Sequence, residues 1–211
     1  TDNNTYFSPS ASLSGIVVDN GKHFLKLRAG FAGVANGTDP YLTNSSLIQA
    51  SAAANFGQIS APLGGINFFE LGGTLGNNQL KPERTTETEF GIEGNLFNNR
   101  INFDVSLYVS KTKDLIARVP LDPSTGFTFQ QQNIGDLENK GIELALGFTP
   151  VKTTDFRWDV NYTFSKNMNE VTKLNGTEKI LLNSAYGVNF YAIEGEPIGV
   201  FQSLVAQTTA D

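Results

Sequence analysis

Cysteine is absent from this chain of 211 residues, and histidine and tryptophan occur once each. Without cysteine there is no disulfide framework and no thiolate zinc site. The single histidine, His23, sits in a turn-forming stretch, which makes it a solvated turn residue rather than the centre of a catalytic triad, dyad or metal site. Charge is also scarce: 17% of residues are Asp, Glu, Lys or Arg, against about a quarter in ordinary soluble domains. The balance is acidic, with 15 basic and 21 acidic residues and a net charge of -6. No basic stripe is present to neutralise phosphates, so nucleic acid is excluded as a partner. No apolar run reaches the roughly 18 residues of a membrane-spanning helix. A membrane-spanning strand is not excluded, because it shows lipid only every second residue and its hydropathy averages out. The mean hydropathy of -0.19 suits a soluble β protein and a barrel alike.

What fills the chain is Gly, Asn, Ser and Thr, a vocabulary of strands and turns. From Phe7 to Val18 the apolar Phe7, Ala11, Leu13, Gly15 and Val17 alternate with Ser8, Ser10, Ser12 and Ser14. This period of two predicts a strand with one apolar and one polar face. The turn residues Asp19 to Lys22 lead into a second strand, Phe24 to about Val34, with Leu25, Leu27, Ala29 and Phe31 on one side and Lys26 and Arg28 on the other. The segment Asn36–Gln79 reads as a long irregular connection, with a weakly patterned short helix over Thr43–Ala54. A third strand ends at Leu96, Asn98-Asn99 forms a turn, and a fourth runs from Ile101 to Ser110. In the implied register Phe90 faces Leu107, Ile92 faces Val105 and Gly94 faces Phe103, whose ring covers the space a strand glycine leaves. Glu93 then faces Asp104, a like-charge pair that needs a cation from a neighbouring strand or a lumen-filling element. A second long connection is expected from Lys113 to Asp136. Strands follow at Asn139–Thr149 and Phe156–Lys166, with a short turn between, and the pattern loosens from Asn167 to Asn189, recovering partly at Phe190–Ile193 and Ile198–Leu204.

The connections therefore alternate short and long. A soluble sandwich has no reason to place all its tight turns at one end, whereas an outer-membrane barrel has short periplasmic turns and long outer loops. Phe24, Phe97, Phe148, Phe156 and Trp158 cluster near the short turns, where an aromatic girdle lies. The fold class expected is all-β: antiparallel transmembrane β-barrel strands. Six such strands fall short of the eight or so of the smallest barrels, and open edges are untenable in lipid. The chain is accordingly read as a fragment of a large plugged outer-membrane barrel, cut at Thr1 and Asp211.

Reactive chemistry is hard to find. Glu83, Glu87, Glu89 and Glu93 cluster, but they suit a polar lumen wall better than the converging pair of carboxylates that a glycosidase requires. Asp122–Gly126 and Asn175–Glu178 lack the ligand spacing of a calcium loop, and Leu71–Gly76 lacks the lysine and helix of a phosphate loop. No catalytic residue, metal site or cofactor is expected. The long connections carry Tyr41, Phe68, Phe69, Phe127, Phe129 and Tyr186, aromatics able to stack on sugar rings or grip peptide side chains, or else to pack the loops together.

The residues Leu80-Lys81-Pro82-Glu83, followed by Glu87, Glu89, Phe90 and Gly91, resemble the SusC/RagA-like family of TonB-dependent outer-membrane transporters of Bacteroidetes. So do Leu25–Ala29, Tyr108 with Lys111–Ile116, Gly126-Phe127, Asn133-Ile134-Gly135 with Asn139–Leu144, Trp158, Asn161, Phe164–Asn167, and Glu194–Gly199. Order and spacing agree from about Tyr6 to the C-terminus, with Asn36–Gln79 the loosest part. The resemblance implies a barrel of about 22 strands, of which residues 1–211 are one part and the plug and remaining strands another. It implies import of a glycan or peptide substrate, powered through TonB contacting the plug, beneath a SusD-like surface lipoprotein. The localisation implied is the bacterial outer membrane, with its lipid around the barrel. Two further readings are a structural or secretion-associated outer-membrane barrel without nutrient import, and a soluble β-sandwich carbohydrate-binding or adhesion module.

Overall fold

The computed structural model describes residues 6–54, 57–62 and 64–204. Its strands are β1 (Ser10–Asp19), β2 (Phe24–Asn36), β3 (Leu47–Gln49), β4 (Ser51–Ala54), β5 (Gly57–Ser60), β6 (Phe69–Leu71), β7 (Thr74–Leu75), β8 (Glu83–Leu96), β9 (Ile101–Pro120), β10 (Phe129–Lys152), β11 (Arg157–Leu174), β12 (Lys179–Ala185), β13 (Val188–Ile193) and β14 (Val200–Ser203). The long strands form an antiparallel meander in the order β1-β2-β8-β9-β10-β11. Each pairs with the next of these in the chain, as in an up-and-down barrel wall.

The register at the centre of this sheet is the one the alternation predicts. Phe90 pairs with Leu107, Ile92 with Val105, Glu93 with Asp104, Gly94 with Phe103 and Leu96 with Ile101. A Cβ on Gly94 would strike the Phe103 ring, so the aromatic does cover that glycine. At the turn, Phe97, Asn98 and Asn99 all take positive φ (54°, 56° and 63°). Asn tolerates this left-handed geometry well. Phe97 is held there by His23, whose ring it meets edge-on at 5.4 Å. The backbone N–H of Asn98 donates to the Lys22 carbonyl at 3.0 Å, tying two neighbouring short turns together.

One face of the meander is apolar and open. Leu27, Phe31, Phe90, Leu107, Trp158, Tyr162 and Phe164 are all exposed there. A continuous apolar face of this extent has no place on a soluble monomer and is what lipid requires. The opposite face carries Lys26, Arg28, Glu89, Glu93, Asp104 and Glu143.

Three expectations are corrected. Thr43–Ala54 contains no helix; it holds β3, which pairs with β6, and β4, which pairs with β5. Asn36–Gln79 is thus a loop folded on itself, and β7 joins it to the start of β10 in parallel. The expected connection Lys113–Asp136 is mostly strand: β9 and β10 stay paired as far as Pro120 and Phe129, leaving only a short tip. Within it Pro123–Thr125 form one 3-10 turn, capped by the Asp122 carboxylate accepting from the Ser124 N–H at 2.8 Å. Lastly, Asn167–Asn189 is not loose. β11 continues to Leu174, and β12, β13 and β14 form a separate three-stranded sheet.

The only buried apolar cluster among the described residues lies between that small sheet and the strand extensions. Ile134, Val171, Leu174 and Ala192 form its centre, flanked by Leu115, Ala117, Val119, Leu137, Ile180, Leu182 and Ile198. Leu137 and Val171 pair with each other and continue the parity of Glu143 and Ser165. The small sheet therefore rests on the polar, inward side of the wall, above the apolar belt.

Candidate functional site: a charged inner wall under a braced rim

The inner wall is organised around Arg28. Its cross-strand neighbours are Ser14 on β1 and Gly91 on β8, and Gly91 in turn faces Ser106 on β9. Small residues in this row let the long side chain lie flat; a Cβ on Gly91 would collide with it. The guanidinium reaches across β8 and donates to both carboxylate oxygens of Asp104 at 2.9 Å. It also donates to the Ser106 hydroxyl, and to Glu89 and Glu93 at 3.4 Å each. Lys26 adds a bond to Glu93 at 3.1 Å. The cation demanded by the Glu93–Asp104 pair thus comes from the adjacent strand. The fork of Arg28 suits a bidentate carboxylate better than the point charge of a lysine would. Further round, Tyr108 lies over Gly141 and its hydroxyl bonds Asn167 at 3.1 Å.

Above the belt, the distinctive sequence blocks turn out to be braces. Asn133 accepts from the Lys81 N–H and donates to the Lys81 carbonyl, both at 2.8 Å, and donates to the Asp114 carbonyl at 2.7 Å. It clamps the Leu80–Glu83 segment to the point where β9 changes parity, marked by the positive φ of 55° at Asp114. Glu83 accepts from the Ile116 N–H at 3.2 Å and Asp136 from the Asp114 N–H at 3.1 Å. Gly135 has φ 153°, and a Cβ there would collide with the Lys173 carbonyl. The Glu194–Gly199 block fastens the small sheet to β11: the Gly195 N–H donates to the Val171 carbonyl at 2.8 Å, and the Val171 N–H to the Glu196 carbonyl at 2.9 Å. The Glu194 carboxylate accepts from the Leu174 N–H at 3.0 Å, and Asn169 from the Ile198 N–H at 2.8 Å.

The six loop aromatics stand at separate points of this rim. Tyr41, with φ 69°, and Tyr186, with φ 51°, project from turns and are almost wholly exposed. Phe69 is exposed on β6, and Phe68 beside it is half-buried, its carbonyl accepting from Ala50 at 3.1 Å. Phe127 and Phe129 are half-buried at the β9–β10 tip, and one face of Phe129 is covered by the Arg118 guanidinium at 3.7 Å. The loop bearing Phe68 and Phe69 is tied to that tip, the Thr128 N–H donating to the Gly73 carbonyl at 2.7 Å. Among the described residues the ring–ring contacts are His23–Phe97 and Phe190–Phe201, and neither joins two of the six.

A sheet apolar on one face, charged on the other, tight-turned at one end and braced at the other is the wall of an outer-membrane β-barrel. The chain belongs to the TonB-dependent receptor-like β-barrel family, whose model matches residues 1–204. A TonB-dependent receptor of Formosa agariphila, P26, is 36% identical over 187 residues, spanning 84% of this chain and 18% of the relative. The TonB-dependent receptor SusC of Bacteroides thetaiotaomicron is 42% identical over 101 residues, 47% of this chain and 10% of its own length. Among solved structures, the RagAB peptide importer in its closed-closed state superimposes with a TM-score of 0.71 at 24% identity, over 89% of this chain and 20% of that one. That likeness shares the fold. The chain thus spans about a fifth or less of the length of these relatives, and its place is the bacterial outer membrane.

Proposed function

We propose that residues 1–211 are one part of the barrel domain of a longer TonB-dependent importer, whose plug and remaining strands lie outside this chain. The match to the receptor barrel family over residues 1–204 carries this reading. It is supported by the sheet itself: among the described residues its outermost strands, β1 and the belt-level part of β11, each pair with a strand on one side only, an open edge that lipid does not tolerate. The cargo is a glycan or peptide, taken up beneath a SusD-like surface lipoprotein with energy delivered through TonB to the plug. The chain performs no bond chemistry; Arg28 and its carboxylates are the polar surface along which a plug docks. Tyr41, Phe69 and Tyr186, the most exposed of the six loop aromatics, meet cargo or lid, while Phe68, Phe127 and Phe129 stiffen the loops beneath them.

Growth of the source bacterium on single glycans or peptides, with the full-length gene intact or deleted, tests this. Loss of growth on a defined polymer, reproduced by deleting TonB and with the lipoprotein co-purifying, supports the proposal. Unchanged growth and uptake on every substrate would leave a structural or secretion-associated barrel as the better reading.

A further inference from the structure

The lipid-facing side carries a feature that import does not explain. Above the apolar belt, the outward positions of four adjacent strands become basic: Arg84 on β8, Lys111 and Lys113 on β9, Lys140 on β10 and Lys166 on β11. Parity fixes their direction. Lys111 and Lys113 continue Val105, Leu107 and Val109 in unbroken register with β8; Lys140 continues Ile142 and Leu144; Lys166 continues Tyr162 and Phe164; and the irregularity of β9 against β10 comes only after Thr112, at the end of its row. Five cations face two outward carboxylates, Glu138 and Glu170, which pair with each other across β10 and β11.

These cations also lie at one height. Arg84 pairs with Lys113, Lys140 pairs with Val109, and Lys166 pairs with Ile142, which itself pairs with Leu107. The basic edge thus steps down the register strand by strand. The tight turns step the same way: Phe24 on β2 aligns through Asn95 with Asn102, whereas β10 runs four residues past Phe148, the partner of Ile101. In a wall of tilted strands, a line that climbs or falls through the register in step with the turns is a level contour. The cations therefore form a ledge at constant height over the belt.

Their pairing is incomplete. Glu138 bridges Lys111, at 2.9 Å, and Lys140, whereas Arg84, Lys113 and Lys166 take part in no ion pair among the described residues. Arg84 and Lys113 are exposed and sit directly opposite one another, an arrangement that costs stability unless an anion lies between them. On the same face below, Leu13, Leu27, Ala29, Phe90, Ile92 and Leu107 line a shallow apolar depression. Unpaired cations above exposed apolar side chains match an amphiphile with phosphate at its head and acyl chains below.

We propose that this ledge binds the phosphate groups of a glycolipid in the outer leaflet, with Arg84, Lys113 and Lys166 as the open phosphate contacts. The inference rests on the outer-membrane barrel reading but not on import.

The test uses the purified full-length receptor in nanodiscs containing lipid A, compared with the same lipid after phosphatase treatment, with lipid retention read by native mass spectrometry. Phosphorylated lipid is expected to be retained preferentially. Arg84→Gln/Lys113→Gln/Lys166→Gln is expected to lose about fivefold in affinity per charge removed, roughly a hundredfold in all. The charge-conserving Arg84→Lys/Lys113→Arg/Lys166→Arg should retain it, and heat-modifiable migration on gels checks that both variants are folded. Equal retention of the two lipids, undiminished binding by the Gln variant, or equal loss in the charge-conserving one would overturn the proposal. Full competition by inorganic phosphate would overturn the lipid assignment. A receptor that keeps this preference yet imports nothing would remove the transport reading alone.

Discussion

Arg28 concentrates the energetics of the inner wall in one side chain. Its side chain is 30% exposed, and the three carboxylates around it are between 31% and 44% exposed. Replacing it by Met leaves Glu89, Glu93 and Asp104 facing one another with only Lys26 nearby. The expected cost is about 1–2 kcal/mol, discounted for partial solvation. Arg28→Lys should recover part of that, because it restores charge without the fork. The midpoint of heat-modifiable unfolding of the full-length receptor measures both. Gly135 is the sharper case, since its φ and the Lys173 carbonyl together leave no room for a side chain. Gly135→Ala should cost at least about 2 kcal/mol, concentrated in the β10–β11 extension and seen as faster amide exchange there. At the loop tip, hydrogen bonds from the Ser124 side chain and then its backbone hold the Asp122 carboxyl below its ordinary value. A depressed carboxyl stabilises above its unfolded pKa, and that contribution is lost as pH falls through the folded one. The amide of Ser124 should therefore lose exchange protection as pH drops below the ordinary carboxylate range, and Asp122→Ala should abolish that pH dependence.

At the scale of strands, neighbours in sequence have opposite fates. Phe164 faces lipid in the row of Val105 and Leu144, while Thr163 faces the inner wall. Phe164→Arg should cost about 2–4 kcal/mol, as a cation near mid-membrane does, and Thr163→Arg should stay within about 0.5 kcal/mol. Folding yield into lipid vesicles separates the two. The same alternation is why β8 and β9 were legible from sequence down to the residue: a tight turn sets the register and no bulge interrupts it. Alternation also put Lys26 and Arg28 on the polar face of β2, but which element supplied the cation for the Glu93–Asp104 pair stayed open, because β2 and β8 are joined by a long connection that sets no register. Legibility stopped at Asp114 and Gly135. There the backbone irregularities reverse which residues point inward, so Leu115, Ala117 and Val119 look like a new, unrelated pattern when they continue the same strand. β12 to β14 were obscured differently: they are short, and their apolar residues answer to the β9–β11 extensions, which local periodicity cannot reveal. The loop aromatics were visible as residues but not as a site, because placement on a loop depends on contacts far apart in sequence, such as Gly73 with Thr128.

For the molecule as a whole, the open edges of β1 and β11 set what the segment can do alone. Refolded into detergent without the rest of its barrel, residues 1–211 should form polydisperse oligomers through edge pairing, visible by light scattering. A single monomeric species with the native register would contradict the need for flanking strands.

The overhang of β9, β10 and β11 has a consequence for timing. From Lys111 to Pro120, β9 continues for nine steps beyond the belt, about 30 Å of paired strand at 3.3 Å per residue. A flexible fringe of that length would have to be ordered each time something settled on it, at about 1–2 kcal/mol per residue. Here that ordering is already complete, secured by Asn133, Gly135 and the small sheet. Whatever docks on this palisade meets a surface in its final shape, so the pace of docking is set by the arriving molecule.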